Sequence, residues 1–372
     1  MLKKGAYTIF LVMMAFRLSA QSAFDGPYVF YKGNKVVVTA IERDDDLLSV
    51  KTVSHDDPKN IVLTVVPEGH ADWTFKVSLR TTLSNDLVSS APTGNCLFMS
   101  DIEGEFGNFR KLLLAAKVID EQYHWTYGTG SLIVPGDLFD RGKDVVPELW
   151  LLYKLEEEAK AAGGSVIVIL GNHDIMNLSG DHRYTDAKYF KDAWLMHVAL
   201  DDLFDKSTEL GRWLRTKNLI EKCGDVLVMH GGLSPAVLQT SWDPERLNAR
   251  SRPYYDRHLN TMPVDVQLLF GKQGLFWYRG YFMAPKSTMA SVDSTLAQFG
   301  CKYIVVGHTI VKWNIASFYG GKVIGVDVDE HAGHVGAALY AGGQWFTVDG
   351  DGKVLPLIYK AGNDLVTDKD IL

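Results

Sequence analysis

Short apolar runs that stop at a glycine and a cluster of polar side chains recur along this chain. The clearest is Val166-Ile167-Val168-Ile169-Leu170, which ends at Gly171-Asn172-His173-Asp174. A run of this kind, rich in β-branched residues and without polar alternation, reads as a strand buried on both faces of a parallel sheet. Leu97-Phe98 leads in the same way to Met99-Ser100-Asp101-Ile102-Glu103-Gly104, and Leu132-Ile133-Val134-Pro135 to Gly136-Asp137-Leu138-Phe139-Asp140-Arg141-Gly142. Val226-Leu227-Val228-Met229 leads to His230-Gly231-Gly232, and Tyr303-Ile304-Val305-Val306 to Gly307-His308-Thr309. Polar residues at the carboxyl ends of buried strands lie on the rim where open α/β sheets bind ligands. Asp, Glu, Asn and His delivered to one rim by five strands predict a metal site.

Helices are predicted between these strands. One starts at Asn108 as its cap and carries Phe109, Leu112, Leu113, Ala116 and Ile119 on one face. A second spans 144–162, with Pro147 tolerated in its first turn and Gly163-Gly164 ending it. The aromatic, helical stretch 186–216 predicts a wall beside the site, with Tyr189, Phe190 and Trp194 read as helix packing. After His308 the runs 322–326, 337–340, 345–348 and 354–358 predict a closing β-meander. Residues 23–90 have a different texture: β-like runs at 28–31, 35–41, 47–50, 61–66 and 73–77 alternate with turn-prone segments. They predict a small antiparallel β-module, bounded at Ala91-Pro92-Thr93-Gly94 from a larger domain over 91–372.

Composition narrows the class. The chain is 47% hydrophobic and 22% charged, which fits a packed globular protein, and its net charge of -7 argues against nucleic acid as a partner. No phosphate-binding glycine loop follows a strand, so nucleotide-powered chemistry is not expected. Lys3 and Lys4 precede the apolar run 6–16 and the small-residue segment around Ala20-Gln21-Ser22. That is the form of a secretory signal over residues 1–22, and its apolar run is shorter than the ~20 residues of a membrane span. An exported protein, periplasmic or extracellular, with no stable membrane insertion after signal removal is the expectation. The three cysteines, Cys96, Cys223 and Cys301, lack metal-like spacing and read as buried structural thiols.

The polar strand ends divide into two ligand sets. Asp101, Glu103 and Asp137 hold one ion; Asp137, Asn172, His230 and His308 hold the other, with Asp137 shared. Paired ions about 3.5–4 Å apart suit phosphate-ester hydrolysis, by activating water and clamping attacking and leaving oxygens in line. His173 follows a ligand and is free to protonate a leaving alkoxide, with Asp140 to orient it. Arg141 offers a planar fork to two phosphate oxygens. His331 and His334, after Asp327 and Asp329, are read as a solvated turn.

In order, the motifs are SDIEG, GDLFDRG, GNHD, HGG and GHT. They resemble the GDxHG, GDxxDRG, GNH(E/D), HGG and GH motifs of the calcineurin-like metallophosphoesterase superfamily, in its phosphoprotein phosphatase branch. Asn172-His173-Asp174-Ile175-Met176-Asn177, Arg183-Tyr184 and Trp277-Tyr278-Arg279-Gly280 are similar to segments of the Shewanella-like phosphatases. The resemblance covers about residues 95 to 345. It implies an α/β (α+β) fold, a two-sheet β-sandwich flanked by helices, and attack on a phosphomonoester by a metal-bridging hydroxide. It also implies that Arg279 and Arg183 serve as further phosphate contacts and that the substrate is a phosphoprotein or a small phosphomonoester.

Two departures matter. Glu103 replaces the usual histidine of the first motif, giving an all-oxygen first site that favours manganese, or magnesium, over iron or zinc. Ile310 stands where exonuclease and phosphodiesterase branches carry a second histidine, which favours monoesters. The rival expectations are a phosphodiesterase or nucleotide hydrolase on the same fold, and a protein that binds phosphate or metal without turnover.

Overall fold

The computed structural model describes residues 23–44, 47–310, 315–357 and 359. The signal sequence expected over residues 1–22 lies outside them. Two six-stranded sheets dominate the larger part of the chain. One runs Val354–Pro356, Gln344–Asp349, Gly336–Ala341, Cys96–Phe98, Ser131–Val134, Ser165–Val168. The other runs Ala316–Phe318, Val323–Gly325, Tyr303–Val306, Val226–Met229, Ile220–Cys223, Ser89–Ser90.

Alternation along the strands shows why the sheets stack. Phe98, Ile133 and Ile167 of the first sheet join Val228, Val305 and Ile324 of the second in one buried cluster, the interior of a sandwich. Their neighbours Leu97, Leu132, Val134 and Val168 belong to the outer core shared with the flanking helices Phe106–Ala115 and Val145–Ala161. Both faces are therefore covered, and nearly unbroken apolar runs are the result. Three strands of the first sheet are parallel, as are three of the second, so each trio puts its carboxyl ends on one rim.

Some elements differ from the sequence expectation. Asn108 lies inside the helix Phe106–Ala115 and its amide nitrogen donates to the Glu330 carbonyl, 2.8 Å away, so it caps nothing. Val323–Gly325 pairs in parallel with Tyr303–Val306 in the second sheet, so the closing meander has three strands rather than four. In the helix Ala187–Met196, Tyr189 is buried, whereas Phe190 is 49% and Trp194 71% exposed. Among the described residues no helix is long and apolar enough to cross a membrane.

Residues 23–78 build a three-stranded antiparallel sheet, Ala23–Lys32, Lys35–Asp44 and Leu47–His55, and the hairpin Val62–Val65 with Phe75–Ser78. Tyr28, Phe30, Val36 and Phe75 share one core with Leu149, Trp150 and Leu210. The Trp150 indole donates to the Pro27 carbonyl at 2.8 Å and the Tyr31 amide to the Ser207 carbonyl at 2.7 Å. The module thus rests on the Val145–Ala161 helix behind the site.

A buried acid pair closes this junction. Asp25 and Asp192 lie side by side, Tyr28 donates to Asp25, and the Lys188 ammonium sits 2.9 Å from Asp25. Burial, then the Asp25 charge, pushes the Asp192 carboxyl up from 3.8 to about 9. The native chain therefore keeps a proton that the unfolded chain loses, and stability falls as pH rises between these two values. Thermal melts of Asp192→Asn should show a flatter decline over that interval than the parent; parallel curves would contradict this assignment.

Candidate metal centre and phosphate site

The strand ends force the backbone into unusual shapes. Asp101, Glu103, Asp137, Asp140, Arg141 and His308 all have φ between 49° and 79°. Non-glycine residues seldom adopt this left-handed conformation, and clusters of them mark functional loops. Gly171 is required by close approach: a Cβ there would lie 2.1 Å from Asp137 Oδ1.

Asp137 is the centre of the constellation. Its carboxylate faces His230 Nε2 at 3.0 Å and accepts from the His173 amide at 2.8 Å. Asp137, His230 and His308 bring ligand atoms within 4.8 Å of one another, and Asp137 does the same with Glu103 and His173. Burial opposes its charge, but the imidazoles of His230 and His173 outweigh burial and hold the carboxyl well below the usual range. Asp101 belongs to neither grouping; it is buried, accepts from the His308 amide at 3.0 Å and is contacted by the Ser100 hydroxyl.

The donor set fits a cation. His230 Nδ1 donates to the Pro135 carbonyl at 2.7 Å, which orients the ring with Nε2 turned to the cluster. The Asn172 side-chain oxygen lies 3.0 Å from that Nε2 and 2.6 Å from His308 Nδ1. Acceptor atoms turned on one another this way are reconciled by a shared positive ion. A bound cation and a ring proton on His230 compete for the same carboxylate charge. Burial disfavours the charged ring of His230, yet Asp137 and Asp101 hold it up to about 9. His308 goes the other way: burial and the charges of His230 and Arg279 keep it neutral, as a ligand requires.

Beside the cluster stands a second arrangement. His173 Nδ1 lies 2.6 Å from Asp140 Oδ2, while Nε2 faces the cluster, 3.9 Å from Glu103 Oε1. Asp140 Oδ1 accepts from Asn177 at 2.7 Å and from Thr185 at 2.9 Å, so the dyad is fixed from both sides. Burial lowers the His173 pKa, but Asp137 and Asp140 more than compensate and raise it above 6.5. Arg141 contacts Glu103 and leaves 38% of its side chain exposed. Arg279 lies against the His308 loop, donating to the His308 carbonyl and, at 3.1 Å, to Thr309.

Arg183, expected as a further phosphate contact, is held bidentately by Asp181 at 2.8 and 2.6 Å, two residues earlier, with 64% of its side chain exposed. Its neighbour Tyr184 takes the place beside the cluster. The Tyr184 carbonyl accepts from the Arg141 amide at 3.1 Å, and its half-exposed ring lies 5.3 Å from His173 and 5.9 Å from the Arg141 guanidinium.

Three further residues, to which the motif spacing gave no role, complete the architecture. Asp174, fully buried, accepts from the backbone amides of Gly171, Asp137, Leu138 and Phe139 at 2.6, 3.1, 2.8 and 3.3 Å. It closes the GNHD motif, which marked the position without showing what the carboxylate binds. Asn177 follows His173 by one helical turn, which puts both on the face toward Asp140. Asp327, buried just beyond the Val323–Gly325 strand, faces Asp101 and Asp137 electrostatically. The His331 imidazole pairs with Glu105 at 2.7 Å, half exposed, away from the cluster.

A sandwich carrying paired carboxylates, imidazoles and an amide at one rim, flanked by an acid–base dyad and guanidinium groups, defines a metal-dependent phosphoester hydrolase. Residues 95–312 match the calcineurin-like phosphoesterase family, and the chain belongs to it. Among curated relatives, Shewanella-like protein phosphatase 2 of Arabidopsis thaliana is 25% identical over 275 residues, covering 62% of this chain and 70% of the relative. Shewanella-like protein phosphatase 1 of Plasmodium berghei is 26% identical over 226 residues, 58% of this chain and 61% of the relative. The crystal structure of a cold-active protein-tyrosine phosphatase from a psychrophilic Shewanella species superposes with a TM-score of 0.81 at 31% identity, covering 90% of this chain and 99% of that one. The phosphatase fold and activity are thereby shown.

Proposed function

We propose that this phosphatase acts on phosphomonoesters of aryl alcohols, phosphotyrosyl protein foremost, with manganese as its preferred metal. The observation that carries the reading is the His173–Asp140 dyad, whose free ring nitrogen faces the ligand cluster beside Arg141. Asp101, Glu103, Asp137, Asn172, His230 and His308 would hold two divalent cations. Such ions supply Lewis acidity, lowering the pKa of water and neutralising phosphoryl charge. Arg141, beside Glu103, and Arg279, beside His308, orient the phosphoryl group; Asp140 keeps His173 protonated on the nitrogen it shares, and Nε2–H donates to the departing oxygen. Three carboxylates around the first position favour a hard cation.

The aryl preference rests on Tyr184, an exposed ring beside both the acid and the arginine fork. The Shewanella neighbour is described as a protein-tyrosine phosphatase, which supports the same substrate class. Turnover should be compared on phosphotyrosyl and phosphoseryl peptides, an alkyl phosphate and an aryl diester. The phosphotyrosyl peptide is expected to lead, and a diester preference would promote the phosphodiesterase or nucleotide-hydrolase reading. Tyr184→Ala is expected to lower kcat/KM about threefold to tenfold on aryl monoesters, the scale of one aromatic contact. An equal loss on alkyl esters would remove Tyr184 from selectivity.

Export to the periplasm or beyond is the companion proposal, supported by the leader pattern of residues 1–22. Sequencing the secreted product should find Ala23 at its N-terminus; retention of Lys3 and Lys4 in the mature protein would contradict it.

A further inference from the structure

We propose that Cys96 and Cys223 form a disulfide that staples the two sheets of the sandwich beneath the metal centre. Their sulfurs lie 4.0 Å apart although 127 positions separate them in sequence. Each side chain is 2% exposed, and both sit in the apolar interior between the sheets. Cys96 opens the strand Cys96–Phe98 of the first sheet; Cys223 closes Ile220–Cys223 of the second. Cys301 is also buried, but it belongs to the outer core, where its thiol contacts the Phe299 carbonyl at 3.6 Å.

The placement gives the bond a consequence. The Cys96 strand runs directly into the loop of Asp101 and Glu103, and the Cys223 strand forms the hairpin whose second strand, Val226–Met229, delivers His230. One cross-link therefore ties the sheet that carries the first ligands to the sheet that carries the later ones. Closure requires the sulfurs to approach by about 2 Å, on the scale of a χ1 adjustment of each side chain.

Glutathione disulfide serves as the oxidant. The thiolate of Cys96 attacks one of its sulfurs, forming a mixed disulfide and releasing one glutathione, which takes up the proton. The thiolate of Cys223 then attacks the Cys96 sulfur and releases the second glutathione. Two protein S–H bonds and one glutathione S–S bond are exchanged for one protein S–S bond and two glutathione S–H bonds. Burial of both thiols assigns this exchange to the folding chain, before the sandwich closes.

The test is a thiol count on the full chain refolded with glutathione disulfide, then unfolded and alkylated without reductant. One alkylated cysteine, Cys301, and a peptide pair joining Cys96 to Cys223 are expected; reduction should raise the count to three. The C301S variant, which leaves the pair intact, should show none. The oxidised form should melt about 5–10 °C above the reduced form, the range expected for a cross-link closing so long a loop. Three alkylated cysteines after refolding, stable glutathione adducts, a bond involving Cys301, or identical melting points would each overturn the proposal.

Discussion

His173→Ala is expected to lower turnover on an alkyl phosphomonoester by about 100- to 10,000-fold, the contribution of a placed general acid. Metal content should not change, because the ring's outer nitrogen is committed to Asp140 at 2.6 Å and its amide, not its side chain, binds Asp137. The size of the loss depends on the leaving group. An alkoxide needs a proton as the bond breaks, whereas a nitrophenolate leaves nearly unaided, so the deficit should shrink markedly on nitrophenyl phosphate. Asp140→Asn should reproduce part of this pattern, since it leaves the ring in place and removes the charge that supports its protonated form. The check is kcat on the two esters alongside elemental analysis of the purified variants. An equal loss on both esters, or loss of metal, would reassign His173 from acid to ligand.

Asp174→Ala is expected to be nearly as damaging, through structure. Four backbone amides converge on this one carboxylate, three of them from residues 137–139 and one from Gly171. It therefore ties the loop of the shared ligand Asp137 to the loop of Asn172. Each buried amide left without an acceptor costs about 1–3 kcal/mol, and a variant that abandons several should lose on the order of 3–5 kcal/mol. Urea melts should show the lower midpoint, and metal titration should show both ions bound more weakly. Asp174→Asn keeps one acceptor oxygen and should fall between. A variant with parental midpoint and parental metal affinity would show that the loops hold their shape without Asp174.

The rim was legible because its strands are buried on both faces. Val166–Val168, Leu132–Val134 and Val226–Met229 carry no polar alternation, and each ends abruptly at its ligands, so strand and site announce one another. What escaped was set by partners far away in sequence. Asn108 has the chemistry of a cap, yet the Glu330 carbonyl recruits it from 222 positions away. The run at 322–326 looks like its meander neighbours, but an open edge beside Tyr303–Val306 draws it into the other sheet. Arg183 and Tyr184 are adjacent, and their order gave no sign that Asp181 would pair bidentately with Arg183 while the Tyr184 ring lies beside His173. Trp194 resembles core packing by type and spacing, but the helix turns that face to solvent. Phe190 follows it.

A two-ion centre shared through Asp137 is tested most directly by titrating metal-stripped protein with manganese, magnesium, zinc and iron in turn, following bound ions and aryl-monoester turnover together. Activity should rise with occupancy and level off at two ions per chain, with manganese giving the highest plateau. Turnover in the stripped protein, or a plateau at one ion, would contradict a shared Asp137 between two cations. A higher plateau with zinc or iron would contradict Glu103 as a ligand of the first, and two tightly bound ions without turnover would mean that the centre binds but does not catalyse.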